Sequence, residues 1–130
     1  VNAMHEILRW QTPLAHMRRT CLEEYELDGH VFQPRDKLAL WYLSANRDAS
    51  VFGDNADDIQ VDRPNARRHL AFGHGIHRCV GARLAELQVG VLLEEMAERR
   101  MRVNVLAEPD RVPQCFVHGY RKMRVKLSRY

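Results

Sequence analysis

The chain has 130 residues, 45% of them hydrophobic and 28% charged, with a formal net charge of +3. That length suits one domain with a modest core, and the composition excludes a disordered polypeptide. The basic residues are scattered, not gathered into a stripe with aromatics, which disfavours nucleic acid; no apolar run approaches the ~20 residues of a membrane span.

Cys21, Cys79 and Cys115 are odd in number and far apart, which fits a reducing compartment better than a disulfide framework. Arg67-Arg68 and Arg99-Arg100-x-Arg102 read as solvated faces. The chain opens on Val1 and runs straight into a helical pattern, so a fragment is expected. No internal repeat or low-complexity segment is present.

Residues 2–10 predict the end of an amphipathic helix. Met4, Ile7 and Leu8 share one face, Glu6 and Arg9 form a surface pair, and Thr12-Pro13 stops the run. Residues 15–22 and 24–32 predict two strands, with a tight turn at Asp28-Gly29. Pro34-Arg35-Asp36 is a further turn. Residues 37–43, KLALWYL, predict an apolar strand, and residues 44–48 one helical turn.

From 49 to 68 there is no periodicity. Twenty irregular residues inside a domain are uncommon and usually functional or pinned by side chains. From 80 to about 100 a long helix follows. Leu84, Leu87, Val91 and Leu92 make its apolar stripe, with Glu86, Glu94, Glu95 and Glu98 outside. Residues 101–106 alternate like a strand, and Phe116-Val117 with 123–127 flank Gly119 as a final hairpin.

Between irregular segment and long helix lies FGHGIHRCVG, residues 72–81. Cys79 falls where a helix begins, and the partial positive charge and free N–H groups there favour thiolate over thiol. Gly73, Gly75 and Gly81 clear side chains from around the sulfur, so a bulky flat partner can approach. The pattern admits a structural cysteine, a zinc site drawing on His69, His74, His77 and Cys79, a phosphate loop, or a nucleophile paired with His77. Each has a defect. Structural zinc usually uses more than one cysteine. The third glycine of a dinucleotide fingerprint would be at Arg78. No third group orients a Cys79–His77 pair. A lone thiolate can also be an axial ligand of haem iron.

The spacing Phe72-x-x-Gly75-x-His77-x-Cys79-x-Gly81, followed by Leu84-Ala85, resembles the haem-binding signature of the cytochrome P-450 monooxygenases. Glu6-x-x-Arg9 resembles the family's E-x-x-R motif. The family's Asp-Arg-Phe reads Asp57-Asp58-Ile59 here, so Arg63 becomes the candidate third member of the charge network. The wording of residues 5–20, 62–88 and 117–120 is similar to soluble bacterial alkane and fatty-acid terminal hydroxylases.

The resemblance implies the proximal, C-terminal portion of a mainly helical α+β fold, one fragment of a single domain spanning 1–130. It contains the E-x-x-R helix, a small sheet, the meander, the cysteine loop, the proximal helix and a terminal hairpin. The oxygen-activating helix has no counterpart in it. The resemblance also implies haem b with Cys79 as iron ligand and with Phe72, Gly73 and Gly81 beside it. Arg18, His16 and His77 would meet the propionates, Arg18 pointing toward the haem and Arg19 away. Leu14, Ala15, Met17, Phe116 and Val117 would touch substrate. The implied reaction inserts one atom of O2 into a C–H bond of a hydrophobic substrate. Its electrons come from NAD(P)H through a ferredoxin reductase and a ferredoxin, which Arg67, Arg68 or Arg78 would meet, in the bacterial cytoplasm. The rival is a haem-binding module without turnover.

Overall fold

A computed structural model describes residues 2–130. Helix α1 spans Asn2–Gln11 and is followed by strand β1, Met17–Thr20. The hairpin β2 (Tyr25–Leu27) and β3 (His30–Phe32) comes next, then β4, Lys37–Leu40. Two single-turn helices follow, α2 (Tyr42–Ala45) and α3 (Ala49–Phe52). After 3₁₀ turns at Ala66–Arg68 and Gly75–His77 comes the long helix α4, Ala82–Glu98. Strands β5 (Met101–Val105), β6 (Asp110–Arg111), β7 (Tyr120–Lys122) and β8 (Val125–Arg129) close the chain.

The strands form four two-stranded antiparallel sheets, β1–β4, β2–β3, β5–β8 and β6–β7. The expected strand 24–32 is therefore a hairpin. Asp28 (φ 50°) and Gly29 (φ 77°) both take the left-handed region at its turn. The expected strand 37–43 stops at Leu40, because the next residues close a helical turn: the Ala45 N–H donates to the Trp41 carbonyl at 3.0 Å. The expected final hairpin is replaced by two pairings. β7 returns to β6 and β8 to β5, so the segment 116–118 is free to bridge elsewhere. It meets 13–15: Leu14 pairs with Val117, and the Ala15 N–H donates to the Phe116 carbonyl at 2.9 Å.

The segment 49–68, expected to be irregular, contains α3 and the turn Ala66–Arg68. Asp48 caps α3, its Oδ1 accepting from the Ser50 N–H at 2.9 Å. Helix α4 begins at Ala82, two residues later than expected. Its N–H donates to the Cys79 carbonyl at 3.2 Å, which seats the cysteine one turn before the helix proper.

The interior is unusually polar. Buried apolar residues are mostly small, such as Ala15, Ala56, Ala66 and Ala82, with Met4, Tyr42 and Phe52. The largest fully buried side chains are Arg9, Glu6, Asn46 and Thr12. On α1 the buried face is accordingly Met4, His5, Glu6 and Arg9, whereas Ile7 and Leu8 are half-buried, which reverses the amphipathic reading of this helix. The α4 stripe is also uncovered: Leu84 is 60% and Leu87 62% exposed. Leu87 and Val91 of that stripe, with Gly90, Leu93 and Ala97, line a groove between α4 and α1.

Candidate functional site

The site is built on a buried charge network at α1. Arg9 has five guanidinium N–H groups, and each finds an acceptor. Nε donates to Glu6 Oε2 at 2.7 Å and Nη2 to Glu6 Oε1 at 2.8 Å. Nη2 also reaches the Asp58 carbonyl at 2.9 Å, and Nη1 the Asn46 and Ala56 carbonyls at 2.6 and 2.7 Å. Arg63 is equally saturated. Its Nε donates to Glu6 Oε1 at 3.0 Å, Nη2 to the Asn55 and Asp58 carbonyls at 2.9 and 3.2 Å, and Nη1 to Asn55 Oδ1 at 3.0 Å and the Phe52 carbonyl. The Gln60 N–H completes the carboxylate, donating to Oε1 at 2.8 Å.

Glu6 and Arg9 are therefore not a surface pair; both are 0% exposed. Burial pushes the Glu6 carboxyl up. The hydrogen bonds from Arg9, the Gln60 N–H and Arg63, with the charge of Arg9, outweigh it and hold the acid at about 2. Asp57 and Asp58 offer no cation where the family carries one. Arg63 reaches back from five residues beyond Asp58 instead, and the Asp58 carbonyl accepts from both arginines.

Asn46 ties this network to the cysteine loop, and no spacing in the sequence marks it. Its Nδ2 donates to Thr12 Oγ1 at 2.9 Å, and its Oδ1 accepts the Leu70 N–H at 2.7 Å. Thr12 in turn donates to the Arg9 carbonyl at 2.6 Å. One buried amide thus connects the end of α1 to the entrance of the loop.

The loop itself folds tightly. The Cys79 N–H donates to the Phe72 carbonyl at 2.8 Å, and the Arg78 N–H to the Gly75 carbonyl at 3.0 Å. Gly73 sits at φ 69°, where a side chain is strained, and an added Cβ would lie 3.2 Å from the Tyr42 hydroxyl. A Cβ on Gly81 would lie 3.8 Å from Cys79 Sγ, so glycine keeps one flank of the sulfur clear.

Cys79 is exposed and forms part of the wall of a cavity of about 750 Å³, within the roughly 300–1,000 Å³ of small-molecule sites. Leu14, Met17, Phe72, Ile76 and Val80 give that wall its apolar surface, with Arg19 and Arg78 as cationic groups and His77 as a further polar one. A soft sulfur ligand, an apolar wall, glycine beside the sulfur and guanidinium groups at the rim suit an iron porphyrin with its two carboxylates.

Several expected partners stand elsewhere. Alternation along β1 leaves Met17 and Arg19 half-buried and Arg18 exposed, and it is Arg19 that lines the cavity. Of these two arginines Arg19 lines the cavity, while Arg18, expected to face the haem, is exposed. Here β1 pairs Arg19 with half-buried Leu38 of β4 and Arg18 with exposed Ala39. His16 packs edge-on against Trp41 at 4.8 Å and near Phe116 at 5.6 Å. Ala15 is buried, and Phe116 and Val117 stand behind Leu14 through their backbone pairing. No group of three His, Cys, Asp or Glu among the described residues is placed to hold a metal by itself. His69, a zinc candidate in sequence, is buried against His5. Cys21, Cys79 and Cys115 are all free thiols. No described helix is long and apolar enough to cross a membrane.

The site and fold define a haem-thiolate protein, and comparison with known proteins gives the family. The cytochrome P450 family profile matches residues 1–108, and the chain belongs to that family. It is similar to CYP153D17 from Sphingomonas sp. PAMC 26605, with 74% identity and a TM-score of 0.93 over 98% of this chain and 32% of that one. It is similar also to cytochrome P450-153 from Novosphingobium aromaticivorans, with 62% identity and a TM-score of 0.92 over 98% and 32% of the two chains. Linalool 8-monooxygenase of Pseudomonas putida is 41% identical over 97% of this chain and 30% of its own length. The methyl-branched lipid omega-hydroxylase of Mycobacterium tuberculosis is 39% identical over 98% and 29%. The chain thus spans about a third of the length of the proteins it matches.

Proposed function

We propose that the chain is the cysteinate-bearing, C-terminal part of a soluble P450 monooxygenase that hydroxylates the terminal carbon of an alkane or fatty acid. The observation that carries the reading is Cys79, exposed on the wall of an apolar cavity with glycine beside its sulfur. Haem ligated by that thiolate supplies activation of O2, with one oxygen atom entering the C–H bond and the other leaving as water after uptake of two electrons and two protons.

The chain's own residues bind and orient. Cys79 Sγ holds the iron. Phe72 and Gly73 shape the proximal wall, and Gly81 leaves the sulfur accessible to backbone N–H groups that tune the ligand. His77 holds a propionate from the rim. The second carboxylate takes a guanidinium of β1: the family resemblance favours Arg18, with His16 beside it on the same face, and the cavity wall favours Arg19. Glu6, Arg9 and Arg63 fix the segment 52–63 beneath the loop. Leu14 and Met17 meet the hydrocarbon chain, with Ala15, Phe116 and Val117 supporting them.

Terminal hydroxylation is supported by the names of two relatives, an omega-hydroxylase of methyl-branched lipid and an 8-monooxygenase of linalool, both acting on largely apolar molecules. Electrons arrive from NAD(P)H through a ferredoxin reductase and a ferredoxin. Exposed Arg67, Arg68 and Arg78 suit an acidic carrier. Charge reversal there is expected to slow electron transfer and flatten its salt dependence.

The test uses the full-length enzyme that carries this segment. Its reduced carbon monoxide complex is expected to show the thiolate-type Soret band. Cys79→Ser abolishes that band, while Cys21→Ser and Cys115→Ser leave it. A histidine-type band, or none, overturns the assignment. A thiolate band without oxidised product from alkanes or fatty acids supports the non-catalytic haem module instead. Arg18→Ala and Arg19→Ala, compared for haem loss to an acceptor protein, identify the propionate partner.

A further inference from the structure

Two buried histidines join α1 to the entrance of the cysteine loop, and the charge network uses neither. His5 is 6% and His69 8% exposed. Nδ1 of His5 lies 3.4 Å from Nε2 of His69, with the ring centroids 5.6 Å apart. The Ala71 N–H donates to His69 Nδ1 at 3.2 Å.

That backbone amide fixes both tautomers. A nitrogen that accepts an N–H carries no proton, so neutral His69 holds its proton on Nε2. This proton faces His5 Nδ1, which must therefore accept, and the proton of His5 sits on its Nε2. Adding a proton to Nδ1 of either ring sets two N–H groups against each other, at Ala71 or between the rings.

The surroundings keep the pair neutral. Burial comes first in pulling His69 down to about 4, followed by the repulsion a protonated His5 would exert and the charge of Arg78, with Glu86 opposing and Arg9 adding to the pull. Burial also lowers His5, helped by Arg67 and Arg83 against Glu86. These groups come from α1, α4, the 66–68 turn and the cysteine loop, which are the elements around the pair.

The route to the sulfur is short. The His69 ring packs near the Phe72 ring at 5.7 Å, and the Phe72 carbonyl accepts the Cys79 N–H at 2.8 Å. Asn46 holds the Leu70 N–H and His69 holds the Ala71 N–H. Consecutive amides entering the loop are thus gripped by side chains.

We propose that His69, held in one tautomer by His5, is a positioning residue for Cys79, acting through the Ala71 amide and Phe72 only while both imidazoles are neutral. It rests on the reading of Cys79 as haem ligand, and Cys79→Ser separates the two: if that variant keeps the thiolate band, the haem reading fails. If Cys79→Ser loses the band but the histidine variants behave as wild type, only the positioning role fails.

The experiment follows the thiolate-type band of the full-length, haem-loaded protein from pH 8 downward. The wild type is expected to lose the band in a step near pH 4, where burial places protonation of His69 in the fold. His69→Phe removes the acceptor for Ala71. It is expected to lower the thiolate fraction at neutral pH about fivefold, the worth of one hydrogen bond, and to lack the step. His69→Asn offers the same amide a carbonyl oxygen, so it restores the neutral-pH band while still lacking the step. Histidine-selective ¹⁵N NMR of the wild type keeps the proposal testable if His69→Phe does not fold: both Nδ1 atoms are expected unprotonated at neutral pH. A protonated Nδ1 on His69, or a His69→Asn profile identical to wild type, overturns it.

Discussion

The charge network beneath α1 and the loop around Cys79 are neighbours of opposite character. In the network every donor is spent: ten guanidinium N–H groups of Arg9 and Arg63 meet carboxylate, amide or carbonyl oxygens, and Glu6 accepts on both its atoms. Around Cys79 the backbone is hydrogen-bonded but the side chains are uncovered: Ile76 is 97% and Val80 103% exposed, and Cys79 lines a cavity. The lesson is a division of labour. Rigidity is made by polar groups that satisfy one another internally, and binding capacity is left where apolar and thiol groups stay unsatisfied. Asn46 is the hinge between the two, because its side chain holds Thr12 with one end and Leu70 with the other.

The comparison breaks most completely at Arg9. Arg9→Ala leaves Glu6 buried with half its partners, and the carbonyls of Asn46, Ala56 and Asp58 each lose a donor. A loss of about 3–5 kcal/mol is expected for a broken buried pair, read as a fall in the denaturation midpoint of the full-length enzyme. Failure of haem incorporation should accompany it, although Arg9 touches no part of the cavity. Retention of wild-type stability would mean that the network does not carry the loop.

A pH titration separates the contributions by sign. His69 is neutral in the fold and titrates near 6.5 when unfolded, so the unfolded chain binds more protons as pH falls from 6.5 towards 4, and stability declines through that window. Glu6 behaves alike at lower pH: its folded value near 2 lies below the ordinary carboxyl of 4.5, so its contribution is complete above 4.5 and is lost as pH falls to 2. Glu6→Gln should remove the second decline and leave the first. A Glu6→Gln profile that keeps the lower decline would contradict the assignment.

At the loop, Gly73→Ala meets a left-handed backbone and the Tyr42 hydroxyl at 3.2 Å. About 1–2 kcal/mol is expected, with a blue-shifted, partly lost thiolate band as the more sensitive readout. Gly75 has φ 71° but open space, so Gly75→Ala should show the backbone cost alone, and the difference between the two variants measures the contact. Smallest of all is Arg99→Ala. Its bond to Glu95 at 2.7 Å is exposed at the end of α4, and only about 0.3–0.5 kcal/mol is expected by denaturation.

Much of this architecture was legible in the residues because it depends on local chemistry. Asp28-Gly29 demands a tight turn, the 82–98 segment has helical period, and the spacing around the lone cysteine carries the family resemblance. The Glu6–Arg9 spacing placed two charges on one helix face. What it could not show is that this face is the buried one, since an i,i+3 ion pair is ordinary on a helix surface. Burial is decided by who arrives from elsewhere, here Gln60, Arg63 and the carbonyls of 46–58.

The same reason explains the misread strands. KLALWYL has strand composition, yet its last residues close a helical turn, with the Leu43 N–H held by the Ala15 carbonyl at 3.1 Å. Alternation along β1 was readable and puts Arg18 and Arg19 on opposite faces, but which of the two faces carries the cavity wall came only from the fold. Phe116 and Val117 were expected in a hairpin with their sequence neighbours and pair instead with Leu14 and Ala15, about a hundred residues away.

By itself, then, the sequence determined the cysteine, the glycines that clear its flank, the helix after it and the charged pair upstream. These follow from side-chain chemistry and short-range backbone geometry, which travel with the residues. Only the tertiary structure decided that the Gln60 N–H joins Arg63, the expected third member, on the Glu6 carboxylate, that Asn46 and His69 grip the loop entrance, and that His5 is buried opposite His69. Those depend on long-range closure, in which any of many polar residues could have filled the place and the fold selected the ones whose donors and acceptors met.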